Sequence, residues 1–175
     1  MCGISVIYSP ESLDIDKSYR IVKKQLDIMH SRGPDASRII KVDSRLVLGH
    51  NRLAIIGLEP ESDQPMLIED SYHIVFNGEI YNYLELKIEL EQHYNFKTNS
   101  DTEVLIAAFS HWGKDCLLKL NGMFAFAIWD TQKKSLFAAR DRFGVKPLYY
   151  NLSKGVFTFA SEIKTIHTSG IPKIP

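Results

Sequence analysis

"GMFAFAIWD", residues 122–130, is the stretch on which the fold turns: an aromatic-rich apolar run bounded by Gly and Asp, it reads as a β-strand. Phe124, Phe126 and Trp129 are then packed sheet residues rather than a cofactor box. Three more strand-like runs follow, "KSLFAAR" (134–140), "PLYY" (147–150) and "GVFTFAS" (155–161), separated by short turns of Asp, Lys and Gly. The four together predict an antiparallel meander.

Working back toward the N-terminus, helices precede this group. Ser100 and Glu103 have the spacing of a cap with a reciprocal carboxylate, and Leu105, Ala108, Phe109 and Trp112 then fall on one face. "NYLELKIELEQH" (82–93) alternates like a strand at Leu84, Leu86, Ile88 and Leu90, yet its residues favour helix, and the Asn82/Glu85 spacing decides for helix. Further back, "SRIIKV" (37–42), "RLVLGHNRLAII" (45–56) and "HIVF" (73–76) read as strands. Tyr19, Val22, Leu26 and Met29 recur at helical spacing between Lys17 and His30, with Gly33 and Pro34 as the stop. "ISVIY" (4–8) begins the chain inside a strand. Two groups of strands with helices between them predict an α+β layered domain, without the alternating rhythm of a parallel sheet.

A chain of 175 residues, 45% of them apolar, fits one domain with a sizeable core. Lys plus Arg balance Asp plus Glu at 21 each, so no net field draws the chain to nucleic acid or an anionic membrane. Small molecules or proteins are the expected partners. The two cysteines, Cys2 and Cys116, read as free thiols of a reducing compartment; with no signal peptide or membrane-length apolar run, the expected location is cytoplasmic. The six histidines show no metal-ligand spacing, His50 reads as structural and Cys116 as core.

Cys2 raises a sharper question. Methionine is normally trimmed before a small residue, which would leave Cys2 with its thiol and a free α-amine together. The amine, with a pKa of about 7.7 to 8.0, can take the thiol proton as sulfur attacks. "MCG" alone favours the other reading, a small buried residue at the head of a strand.

Several segments move that balance: "MCGI" at Met1, "HSRGPD" at His30, "GHNRLAIIGL" at Gly49, "DQPM" at Asp63, "FNGEIYNY" at Phe76, "SDTEVL" at Ser100, "NGMFAFAIWD" at Asn121, "ARDRFGVKPLYY" at Ala139 and "FASEIKTI" at Phe159. In this order they resemble the glutaminase domain of class II, N-terminal nucleophile glutamine amidotransferases, and their wording is nearest to the glutamine-hydrolysing asparagine synthetases. The resemblance implies a four-layer αββα sandwich of two antiparallel sheets over residues 2–168, with 169–175 starting a linker. It implies Cys2 as nucleophile, Asn77 and Gly78 as the oxyanion site, Arg52 on the α-carboxylate of glutamine, and Asp101 and Glu79 on its α-ammonium. It assigns no metal or cofactor to this domain. ATP and Mg belong to a C-terminal ATP-pyrophosphatase synthetase domain, whose "SGGxDS" loop is absent here; a homodimer is also compatible with the resemblance.

Read without the resemblance, Asn77-Gly78 is sooner a two-residue hairpin turn than an oxyanion site, Arg52 an exposed strand residue, and Asp101 a first-turn helix acid. Arg32 and Asp35 read as loop structure, with a gating role as the alternative. Three functions stand: a glutaminase feeding asparagine synthesis, one feeding another acceptor such as a sugar or cell-surface precursor, and a catalytically silent module of the same fold.

Overall fold

The computed structural model describes residues 1–167. Nine strands and four helices follow in the order β1 (Gly3–Tyr8), α1 (Ile15–Ile28), β2 (Ala36–Asp43), β3 (Leu46–Arg52), β4 (Met66–Ile68), β5 (Tyr72–Ile80), α2 (Tyr83–Leu90), α3 (Asp101–Trp112), β6 (Gly122–Asp130), β7 (Ser135–Arg140), β8 (Tyr149–Ser153), β9 (Val156–Ala160) and α4 (Ile163–His167). Single 3₁₀ segments cover His30–Arg32, Pro60–Ser62 and Gly113–Leu118. Residues 168–175, where the expected linker falls, lie outside the described residues.

The strands form two antiparallel sheets, one in the order β2-β3-β1-β9-β8 and the other β4-β5-β6-β7. Three apolar clusters define the layers. Ile4, Val6, Leu46, Leu48, Val75, Ala125, Ala127, Trp129 and Phe159 fill the space between the sheets. The alternate residues Ile7 and Val47 pack outward against Val22, Leu26 and Met29 of the α1 segment and Ile166 of α4. On the far side, Ile74, Phe76, Phe126 and Ile128 pack against Leu86, Leu90, Leu105 and Ala108 of α2 and α3. The period-two alternation of strand side chains thus gives each sheet two apolar faces, and the αββα sandwich follows.

The meander is not what forms. β6 and β7 close one sheet, whereas β8 and β9 join the other, with β9 lying against β1 (Ser5 opposite Ala160). The 141–148 connection crosses between the sheets, and its turn is held by Asp141, whose carboxylate accepts from the N–H groups of Phe124, Phe143, Val145 and Lys146. The β8–β9 hairpin turns on Lys154 and Gly155, both at positive φ (49° and 77°), the geometry that follows the strands' own twist.

Helix boundaries moved for local reasons. Asp14 caps α1 by accepting from Lys17 N (2.9 Å), so the helix starts two residues before the expected Lys17 and ends at Ile28. The Asn82 side chain does not cap α2: it spans to Lys119 O and Asn121 N at 2.9 Å each, tying the helix entry to the start of β6. At α3 the Ser100 hydroxyl does accept from Glu103 N (3.2 Å). Glu103 is not its reciprocal partner; the buried carboxylate instead accepts from Lys97 N, Thr98 N, Thr98 Oγ1 and Tyr94 Oη, organising the loop before the helix. α4 was not foreseen.

Candidate active site

β1 is the central strand of its sheet, and Cys2 precedes it, in register opposite the end of β3. By alternation Cys2 shares the inward face with Ile4 and Val6. On β3 the inward series is Leu46, Leu48, His50, Arg52; on β5 it is Val75, Asn77, Glu79. At one end of the sandwich the apolar filling therefore gives way to polar side chains, and a cleft opens there. Cys2, Arg52, Asn77, Gly78, Glu79 and Asp101 all line it. Sequence reasoning named each of these; Gln64 and Lys146, which also line the cleft, it did not assign.

"HIVF" underestimated β5, which runs on through Ile80, so Asn77-Gly78 is strand and not a hairpin turn. That extension creates the site. Strand β4 pairs with β5 only as far as Ile74, leaving an open edge beyond it. Odd-numbered residues of this stretch face β6, as the Tyr81 N–H to Asn121 O bond shows, so the N–H groups of Phe76, Gly78 and Ile80 point to the open edge. Gln64 Oε1 accepts from Phe76 N (2.6 Å) and Asp101 Oδ2 from Ile80 N (3.0 Å). The middle N–H, on Gly78, meets no side-chain acceptor among the described residues. Beside it the Asn77 Nδ2 amide is buried with no hydrogen-bond partner among the described residues. Two donors thus face one cleft unspent. Gly78 also has no room for a side chain: a Cβ would lie 2.2 Å from Met123 O.

The Cys2 thiol exchanges contacts with Leu53, accepting from its N–H (3.4 Å) and donating toward its carbonyl (3.7 Å). Burial pushes the thiol pKa up, while the Leu53 N–H, the chain's amino group and Arg52 pull it down and Asp101 raises it further. The resting sulfur is therefore a thiol that needs a base on attack. Met1 lines the same cleft, and while it is attached the Cys2 nitrogen is an amide and no base.

Arg52 is nearly buried and its fork is largely committed. Nη1 donates to Asp63 Oδ1 (2.5 Å) and Glu59 O (3.3 Å), and Nη2 to Gly57 O. Three of the five guanidinium N–H donors are taken, so a substrate carboxylate would meet the remaining two. The loop that binds Arg52 is fixed by Gln64, which also donates to Thr102 Oγ1 (3.1 Å); this accounts for "DQPM". Asp101 has its pKa pushed up to about 6, mainly by burial, with Glu79 adding to the rise against the N–H groups of Ile80 and Thr102. His50 is fully buried, its pKa lowered to about 4 by desolvation, and its Nε2 lies 3.1 Å from Phe76 O. A neutral imidazole donating there bridges the sheets one peptide before Asn77.

Arg32, read from the sequence as loop structure, reaches further. Its Nε donates to the Cys2 carbonyl at 3.0 Å, so it grips Cys2 rather than serving the loop alone. Asp35 does serve the loop, accepting from Ala54 N (2.8 Å). Gly33 lays this loop on β3 so closely that a Cβ would sit 2.4 Å from Asn51 O. Among the described residues no group of three His, Cys, Asp or Glu could hold a metal ion, and no helix is long and apolar enough to cross a membrane.

A cysteine at residue 2 closing the central strand of an αββα sandwich, before a cleft with two unspent donors, defines the fold of the N-terminal nucleophile amidotransferases. Glutamine phosphoribosylpyrophosphate (PRPP) amidotransferase from B. subtilis superposes on this fold with a TM-score of 0.78 at 23% identity, over 97% of this chain and 44% of that one. The chain belongs to the glutamine amidotransferase domain family, whose sequence profile matches residues 1–173. It is 44% identical over 170 residues to asparagine synthetase [glutamine-hydrolyzing] 1 of Bacillus subtilis, covering 95% of this chain and 26% of that protein. It is also 37% identical over 181 residues to the amidase chry2 of Gibberella zeae, covering 98% of this chain and 27% of that protein. The chain thus spans about a quarter of the length of the curated relatives it matches.

Proposed function

We propose that this domain hydrolyses the side-chain amide of glutamine through a Cys2 thioester, once Met1 has been removed, and supplies the ammonia for amide synthesis in an asparagine synthetase-like enzyme. The observation that carries this reading is a pair of donors in the cleft that holds Cys2, Asn77 Nδ2 and Gly78 N–H, which have no partner among the described residues. Sulfur attacks the amide carbon, the carbonyl electron pair moves to oxygen, and the thiol proton passes to the α-amine. The oxyanion faces the two donors, which stabilise it more than the ground-state carbonyl. Collapse of the intermediate expels ammonia as the leaving nitrogen takes a proton from the α-ammonium. Water then attacks the thioester with the same amine as base, releasing glutamate and restoring the thiol. Arg52 offers its two spare N–H groups to the substrate carboxylate, and the ionised Asp101, with Glu79, faces the substrate ammonium.

ATP and Mg²⁺ belong, on this reading, to the synthetase portion that accounts for the rest of such enzymes, and the location is cytoplasmic. The amidase relative favours a second reading for the acceptor alone: the same glutaminase passing ammonia to a different substrate. The test is reaction of the Met1-trimmed protein with an electrophilic glutamine analogue, followed by peptide mass mapping. A single adduct on Cys2 is expected; an adduct elsewhere, or none, refutes the amidase.

A further inference from the structure

Arg32 has a partner that the glutaminase chemistry leaves unused. Its guanidinium, largely buried, meets Glu162 Oε1 through Nη1 at 3.5 Å while Nε holds Cys2 O. Glu162 is itself half-buried and meets Lys164 Nζ through Oε2 at 2.7 Å. The residue before it, Ser161, clamps the nucleophile strand twice, accepting from Ile4 N (2.9 Å) and donating to Ile4 O (3.0 Å). The segment "SEIK" leading into α4 therefore grips the first turn of chain from two directions. One grip runs through the Ser161 hydroxyl and backbone N–H; the other ends in a charge.

We propose that Glu162 is a positioning residue, orienting the Cys2 residue through Arg32 and biasing the protonation of its α-amine. The claim rests on the glutaminase reading. A guanidinium can offer Nε or either Nη to a carbonyl, and the carboxylate on Nη1 selects the pose in which Nε donates. Covalent geometry keeps the α-nitrogen of Cys2 within about 4 Å of its own carbonyl oxygen, so the Arg32–Glu162 pair acts on the amine electrostatically. Arg32 favours the neutral amine and Glu162 the ammonium. The other charged groups facing this point are Lys164 beside Glu162, Arg52 from β3, Glu79 from β5, Asp101 from α3 and Lys146 from the 141–148 connection. Removing the Glu162 charge leaves Arg32 unopposed, which lowers the amine pKa.

The experiment compares Met1-trimmed parent, Glu162→Gln and Glu162→Asp. For glutamine hydrolysis, Glu162→Gln is expected to lower kcat about tenfold to 100-fold through misplacement of the nucleophile, with KM within about twofold. Its acid limb in kcat/KM should move to lower pH by about half a unit to one unit. Glu162→Asp, which keeps the charge, should hold the limb at the parental position. A folded Glu162→Gln with parental kcat and limb overturns the proposal, as does an effect confined to KM or an Asp variant whose limb moves like the Gln variant's. Alkylation of Cys2 by iodoacetamide across the same pH range needs no substrate. If the parent neither hydrolyses glutamine nor reacts with a glutamine analogue, the glutaminase reading fails on its own, and the alkylation profiles still decide the role of Glu162.

Discussion

Asn77→Ala separates a catalytic amide from a structural one. Asn77 is almost wholly buried, yet its Nδ2 has no partner among the described residues. An unsatisfied buried donor costs about 1–3 kcal/mol, so truncating this side chain removes a penalty along with some packing. The two effects oppose, and the net change in unfolding free energy should stay within about 1 kcal/mol. Catalysis should respond differently. On the proposed reading one of two oxyanion donors is lost, which costs about 100-fold to 1,000-fold in kcat, equivalent to about 2.7–4 kcal/mol of transition-state stabilisation. Gly78 N–H remains, so residual turnover is expected. Urea unfolding followed by fluorescence gives the first quantity, and ammonia release by the trimmed protein at saturating glutamine gives the second. A variant that loses several kcal/mol of stability while each folded molecule keeps its parental kcat would refute the reasoning.

Blocking removal of Met1 with an uncleaved N-terminal extension should abolish glutamine hydrolysis while leaving the circular dichroism spectrum and melting temperature intact; full activity with the extension verified by mass spectrometry contradicts the proposed base. Asp101 binds a proton in the folded state up to about pH 6, above its unfolded range near 4, so its contribution to stability falls as pH rises through that window. His50, held down to about 4, works the other way: the unfolded chain binds more protons between about pH 4 and 6.5, so stability rises with pH. Asp101→Asn removes only the first effect, and its urea midpoint should climb more steeply with pH from 4 to 6.5 than the parent's; identical slopes exclude the coupling. The parent's KM for glutamine should rise below about pH 6 as Asp101 is neutralised, measured by initial rates with the ammonia assay. Gly33→Ala should destabilise the fold by about 1–3 kcal/mol, because its Cβ meets the β3 backbone rather than a side chain that can move; an unchanged urea midpoint counts against that packing.

What the sequence revealed and concealed divides along local and long-range physics. Strand runs such as "GMFAFAIWD" carry their own signal, and so does the Ser100 cap, because both depend on neighbours in the chain. Asn77-Gly78 did not, since the same dipeptide is a turn in isolation and becomes strand only when β6 pairs with it through Ile80 and Gly122. The separation of β8 and β9 from β6 and β7 depends on β9 finding β1, which no local pattern encodes. In α2, Leu84 and Ile88 are exposed while Leu86 and Leu90 are buried, so the alternating pattern misleads even though the helix is right. Arg32 was hidden by its setting: Gly33 and Pro34 fully explain the loop, and nothing in "HSRGPD" says that the arginine reaches back to residue 2.

The hydrogen bond from Ile4 N to Ser161 joins residues 157 apart, and this has a bearing on synthesis. A nascent polypeptide cannot seat β1 between β3 and β9 until β9 has been made. The strand that follows Cys2 is thus among the last to gain its working environment. On the proposed glutaminase reading, ammonia release waits on that closing of the sheet.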